Sequence, residues 1–301
     1  MENKGFRFLF MTSDEFPPFR PDVEILFVKE LLSRGYSIDW IMQPSEERQC
    51  AERVSWRACN VWLAATDTGT GRLARLRKHL SNLRNDMRVF SLVKTGEYDF
   101  VQVKDKFLGA VMAILAAHSR GVKFFYWLSF PFPESYLALA KSPESRYPFF
   151  YWLRGLTFKY LLYGFICARA DHIFVQSEEM KRVMSEKGVP AEKMTPVPMG
   201  VDLSTFSTES SIKSESDSNE PPIVLYLGAL DRPRRVEFLL EVFAIVAKTH
   251  STAKLYFVGD SEDPTARAFL EAEAERLGIK NKVVFTGFLP REEALKYVRT
   301  A

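Results

Sequence analysis

The stretch PVPMGVDLSTF at residues 196–206 runs directly into STESSIKSESDSNEPP at 207–222, a segment almost without apolar residues, before IVLYLG resumes at 223–228. The chain is 47% hydrophobic as a whole, so the gap is a local departure from its composition. A segment of this kind cannot bury enough apolar surface to offset the entropy of ordering it. It therefore reads as a linker over 206–220, joining one domain at 1–205 to a second at 221–301. Limited proteolysis should cut preferentially between Ser207 and Glu220, and resistance there with cutting elsewhere would argue against two units.

Outward from the linker, both halves alternate short apolar runs with helical patterns. Phe6–Met11, Ser37–Met42, Asp99–Val103, Lys123–Leu128 and His172–Gln176 have strand length. Between them, VEILFVKELLSRG from Val23, FLGAVMAILAAHSRG from Phe107 and SEEMKRVMSEKG from Ser177 have helical spacing and stop at glycine. The second half repeats the pattern with IVLYLG, a helix over about 236–249, KLYFVG, a helix over about 265–277, and KVVFTG. This alternation predicts an α/β protein of two Rossmann-like parallel-sheet domains facing a cleft, the second with only three strands. Ligands of such sheets sit beyond the carboxyl ends of the strands, which directs attention to the residues just after each run.

Composition narrows the classes further. With 301 residues, 26% charged and 14% aromatic, the chain is a folded globular protein. A net charge of +3 is too small and too mixed to imply nucleic acid. Cys50, Cys59 and Cys167 are odd in number and scattered, and the four histidines are equally dispersed, so no zinc site is expected and the cysteines suit a reducing, cytoplasmic compartment. The N-terminal apolar run is strand-length, too short for a signal peptide. The segment FFYWLRGLTFKYLLYGFIC at 149–167 is interrupted by Arg154 and Lys159, short of the ~20 apolar residues a membrane-spanning helix needs.

The residues that carry chemistry begin with YLGALDRPRRVEFLL at 226–240. Gly228 permits a tight turn after a strand. Arg232, Arg234 and Arg235 then gather three guanidinium groups at a helix entrance, where backbone amides already favour an anion. That chemistry suits a pyrophosphate, against the plainer reading of three solvated arginines. After the other strands, Lys104 and Asp105 follow EYDFVQV and Ser129 follows YWL, at the strand ends where ligands of such sheets sit, although a loop ion pair explains Lys104 and Asp105 equally well. In FPPFRPDVE, Asp22 suits a helix cap, leaving Arg20 as the anion contact.

VQSEEMKRVMSEKGVPAEKMTPVPMGVDLSTF at 175–206, YLGALDRPRRVEFLLEVF, KLYFVGD and KVVFTGFLPREEALKYV, in that order and spacing, resemble the family-4 retaining glycosyltransferases of the GT-B fold. The resemblance covers nearly the whole chain. It implies transfer of a sugar from a nucleotide-sugar co-substrate to a glycan, lipid-linked or other acceptor with retention, without a metal. The first domain would be the acceptor side and the second the donor side. It places Gly228, Arg232, Arg234 and Arg235 at the donor diphosphate, with Arg234 at the usual lysine position. The nucleotide base would lie near Gly259, Asp260, Val284 and Phe285, although Asp260 suits a turn cap as well.

Several positions depart from the family pattern. Met199 replaces an asparagine before Gly200, Val201 and Asp202, Ala229 stands where an arginine is usual, and Ser129 where many relatives have a histidine. The family's two glutamates, separated by seven residues, have no counterpart before ALKYVRTA at 294–301. The resemblance therefore implies a piece of a longer enzyme, with poor turnover alone. A non-catalytic GT-B-fold binding or partner protein is the alternative.

RLARLRKHLSNLRNDMR at 72–88 places leucines at helical spacing among six basic residues. Such a helix can lie on an anionic membrane surface, which would make the protein peripheral at the inner face. The favoured reading is a core-facing leucine stripe with a solvated basic back, and the aromatic helix from Phe149 is read the same way.

Overall fold

The computed structural model describes residues 5–18, 23–45, 51–57, 59–65, 69, 71–142, 145, 147–200, 221–261 and 263–301. Arg20, Asp22, Cys50, Val201, Asp202, Phe206 and the polar segment 206–220 lie outside them. The chain divides into two compact units, Met1–Asp202 and Leu203–Ala301.

The first unit is built on eight strands: β1 (Arg7–Phe16), β2 (Ser37–Pro44), β3 (Glu52–Trp56), β4 (Cys59–Leu63), β5 (Phe100–Lys104), β6 (Lys123–Leu128), β7 (His172–Val175) and β8 (Met194–Pro196). Their order is β3-β4-β2-β1-β5-β6-β7-β8, every neighbouring pair parallel except β3 with β4. The continuous apolar run of β1 follows from its central place, because a parallel strand covered on both faces must be apolar on both. Phe8 and Phe10 enter one core with Val23, Phe27 and Trp40. Leu9 and Met11 enter the other, with Ala110, Ala113 and Ile114 of the Phe107–His118 helix.

The structure differs from the sequence-based expectation at four points. Strand β1 continues through Thr12–Phe16, which the sequence reading gave to the following loop, and the β1–β2 register shifts between Met11 and Glu15. The β3–β4 hairpin was not anticipated. The leucines of the Arg72–Asp86 helix do not face the core: Leu73, Leu76 and Leu80 are 72%, 54% and 56% exposed. On the Pro148–Lys159 helix, Gly155 packs against Leu137, while Phe149, Phe150, Trp152 and Leu153 are exposed. Leucine spacing establishes that a helix has an apolar face, not that another element covers it.

The second unit has three parallel strands, β9 (Ile223–Leu227), β10 (Lys254–Val258) and β11 (Val283–Gly287), with β10 central. Helices Glu237–Thr249 and Pro264–Arg276 bury Leu240, Phe243 and Leu270 against Leu255 and Phe257. Both units are thus parallel α/β layers, the Rossmann-like class expected from the sequence.

Candidate active site

Each strand of the second unit ends in glycine or is followed directly by one. Gly228, Gly259 and Gly287 have φ values of +157°, +128° and +75°. The Gly228 amide donates to Val258 O (3.0 Å), the Gly259 amide to Gly287 O (3.1 Å), and the Leu230 amide to Asp260 O (3.1 Å). A Cβ on Gly259 would stand 2.2 Å from Gly228 O, so the strand ends approach too closely for any side chain there. The result is a crest of bare backbone at the carboxyl edge of the sheet.

The chain leaves that crest through a short 3₁₀ turn, Arg232–Arg234, followed by Arg235 in the left-handed region at φ +51°. The Arg234 amide donates to Asp231 O and the Arg235 amide to Arg232 O, which closes the turn. All three arginines are exposed, but their contacts differ. Arg232 lies 4.4 Å above the Phe269 ring. Arg234 is exposed, and Arg235 is exposed with Glu237 at 3.7 Å. Arg234 and Arg235 are therefore the cations best able to turn toward an anion. Val236 precedes the Glu237–Thr249 helix without a side-chain cap on its first amides.

The remaining donor-side candidates sit differently from one another. Asp260 accepts from the Ser261 amide (2.9 Å) and from Arg267 Nη1 (3.2 Å), so it does cap a turn as well as hold an ion pair. Phe285 stacks on Phe257 at 5.1 Å between ring centroids. Val284 pairs with Tyr256 in mid-strand, below the crest, and Gly287 is the residue level with Gly259.

In the first unit the structure brings Asp105 and Ser129 together and sends Lys104 elsewhere. Asp105 has φ +56°, uncommon for a residue with a side chain. Its carboxylate accepts from the Ser129 amide (2.9 Å) and from the Ser129 hydroxyl. Lys104 is only 1% exposed, 3.2 Å from Asp14 Oδ2 and 4.9 Å from the centre of the Trp127 ring. Its buried ammonium cannot reach a surface-bound sugar. Replacing Asp105 by Ala should destabilise this unit by about 2 kcal/mol, because it frees the two Ser129 donors and leaves a strained turn. A chemical-denaturation midpoint equal to the parent's would contradict this.

Asp105 lines one cavity and Ser129 another. One, of about 440 Å³, is lined by Asp86, Asp105, Lys106, Phe132, Tyr136 and Arg154, among others. The other, of about 390 Å³, is lined by Ser129, Glu134, Tyr163, Gln176, Ser177 and Lys187, among others. Burial pushes the Asp86 carboxyl above its ordinary range, and its ion pair with Lys106 opposes that. Burial and the Glu134 carboxylate raise the Tyr163 hydroxyl, which donates to Glu134 at 2.8 Å. Sequence reasoning did not single out Asp86; Lys106 and Glu134 lie in the stretches just after β5 and β6 to which it directs attention, without being named as candidates. Among the described residues no cluster of His, Cys, Asp or Glu has metal-holding geometry, and no helix is long and apolar enough to cross a membrane.

Two parallel α/β units, one with a glycine crest beside a basic turn, define the GT-B class of fold. The chain belongs to Glycosyltransferase Family 4, whose profile matches residues 25–205, and the profile of Glycosyl transferases group 1 matches residues 207–301. Anabaena HepE, solved in complex with UDP-glucose, is similar at a TM-score of 0.60 and 15% identity, over 96% of this chain and 71% of that one. A structure described as trehalose-6-phosphate from E. coli, bound with UDP-2-fluoro glucose, gives 0.62 at 12% identity, over 97% and 76%. The alpha-monoglucosyldiacylglycerol synthase of Streptococcus pneumoniae is 29% identical over 155 residues, 48% of this chain. The match spans about a third of that relative's length, 34%.

Proposed function

We propose that the chain carries out, or contributes to, transfer of a sugar from a nucleotide-sugar donor to an acceptor hydroxyl with retention at the anomeric carbon. The observation that carries the reading is the glycine crest beside Arg234 and Arg235 in a member of this family. As the bond from the anomeric carbon to the donor phosphate breaks and the bond to the acceptor oxygen forms, negative charge grows on the departing diphosphate. Guanidinium groups placed beside the departing diphosphate stabilise that charge most where water is excluded. The acceptor's hydroxyl proton is released in the same exchange. The first unit would hold the acceptor, with Asp105 and Ser129 as the strand-end groups nearest its cavities.

UDP bound in HepE supports a nucleotide sugar of the same kind here. The test is incubation with UDP- and GDP-sugars and a panel of hydroxyl acceptors, with proton NMR of the product. Retained anomeric configuration supports the reading, and inversion overturns it. A second reading, a non-catalytic binding protein of this fold, is favoured by Ser129, whose hydroxyl is engaged by Asp105. Diphosphate binding without turnover would select it.

A further inference from the structure

Two helices of the first unit hold apolar and cationic side chains in solvent together. On the Arg72–Asp86 helix, Leu73, Leu76 and Leu80 share one face and are exposed. Arg75, Arg77, Lys78 and Arg84 are exposed as well, and none forms an ion pair with a described residue. The one carboxylate of this helix, Asp86, is buried against Lys106. Like charges at helical spacing repel one another. Solvated helices elsewhere in the chain avoid this: Arg182 lies between Glu179 and Glu186, and Arg276 faces Glu273.

The second helix has the same character. From Pro148 to Ala170 the sequence holds no acid. Its exposed rings form a connected group, Phe149 lying 5.9 Å from Phe150 and 6.1 Å from Trp152. Both helices border the 440 Å³ cavity, through Leu80 and Leu83 on one side and Arg154 and Phe158 on the other.

We propose that this face of the first unit docks on an anionic lipid bilayer, with leucine and aromatic side chains entering the headgroup boundary and the basic groups against lipid phosphates. Exposed rings and leucines beside exposed cations suit a surface that is apolar just beneath a layer of negative charge. A second copy of the chain would instead bring positive charge against positive charge. An acceptor entering the cavity between the helices would then come from the bilayer. That last step rests on the transferase reading, whereas the docking does not.

Flotation of the 301-residue chain with phosphatidylglycerol-containing vesicles, and with pure phosphatidylcholine vesicles, tests the docking without donor or turnover. Binding should require the anionic lipid and weaken as salt is raised. Combined R75Q, R77Q and K78Q should reduce partitioning by about 100-fold, at about fivefold per basic group near the surface. Trp152 emission in the parent should shift to the blue on anionic vesicles, and W152F should remove that change, which gives a readout even where the triple variant folds poorly. Equal binding to both lipids, no binding, or an unaltered triple variant would overturn the proposal. So would salt-resistant dimerisation that depends on Leu73, Leu76 and Leu80.

Discussion

Replacing Arg234 and Arg235 together by Ala is expected to weaken binding of a nucleoside diphosphate by about 2 to 4 kcal/mol, or about 30- to 1,000-fold. Charge-assisted bonds to a partly desolvated phosphate contribute about 1.5 to 3 kcal/mol each and rarely add fully. The two arginines are the right pair to remove because Arg232 already packs on Phe269. The matching nucleoside, which has no phosphate, should bind almost as it does to the parent. Calorimetric titration with UDP, GDP and their nucleosides separates a lost phosphate contact from general damage, given an unaltered melting temperature. Diphosphate binding as tight as the parent's would reduce the arginines to a solvated helix start.

Gly259 to Val is expected to cost the second unit about 4 kcal/mol. The new Cβ would stand 2.2 Å from Gly228 O at a φ of +128°, so both steric overlap and backbone strain act. Each typically contributes about 1 to 3 kcal/mol. Relief requires β9 and β10 to move apart at their carboxyl ends, where Gly228 N meets Val258 O and Leu230 N meets Asp260 O. Diphosphate binding should fall with stability, since the crest is the candidate site. Gly278 to Ala provides the control: its φ is also positive, at +69°, but nothing lies within 4 Å of the added Cβ. Denaturant unfolding of both variants should show a much larger loss for Gly259, and equal losses would mean that strain alone matters.

The strands of the two sheets were legible because central parallel strands are apolar on both faces, and RFLFM, KFFYW and KLYFV have no other simple reading. The β3–β4 hairpin was not, because its edge strand alternates with Arg53 and Ser55 and its turn places Arg57 at φ +48° where glycine or asparagine is the usual signal. The glycine crest was readable from YLG, FVG and FTG, each a strand followed by its turn residue. The fate of Lys104 was not, since its partner Asp14 is 90 positions away and only the parallel pairing of β1 with β5 brings them together. The leucine and aromatic helices mark the same boundary: periodicity reveals a face, and only tertiary structure reveals whether it is covered.

The claim on which the rest depends is that the second unit meets the donor's diphosphate at its glycine crest. Amide chemical shifts of ¹⁵N-labelled protein, followed while a nucleoside diphosphate is titrated, report on this directly. The account predicts the largest shifts at Gly228, Gly259, Gly287 and the amides of Arg234, Arg235 and Val236, with small ones in β1 to β8. Saturable shifts centred on the first unit, with the crest amides unmoved, would contradict it.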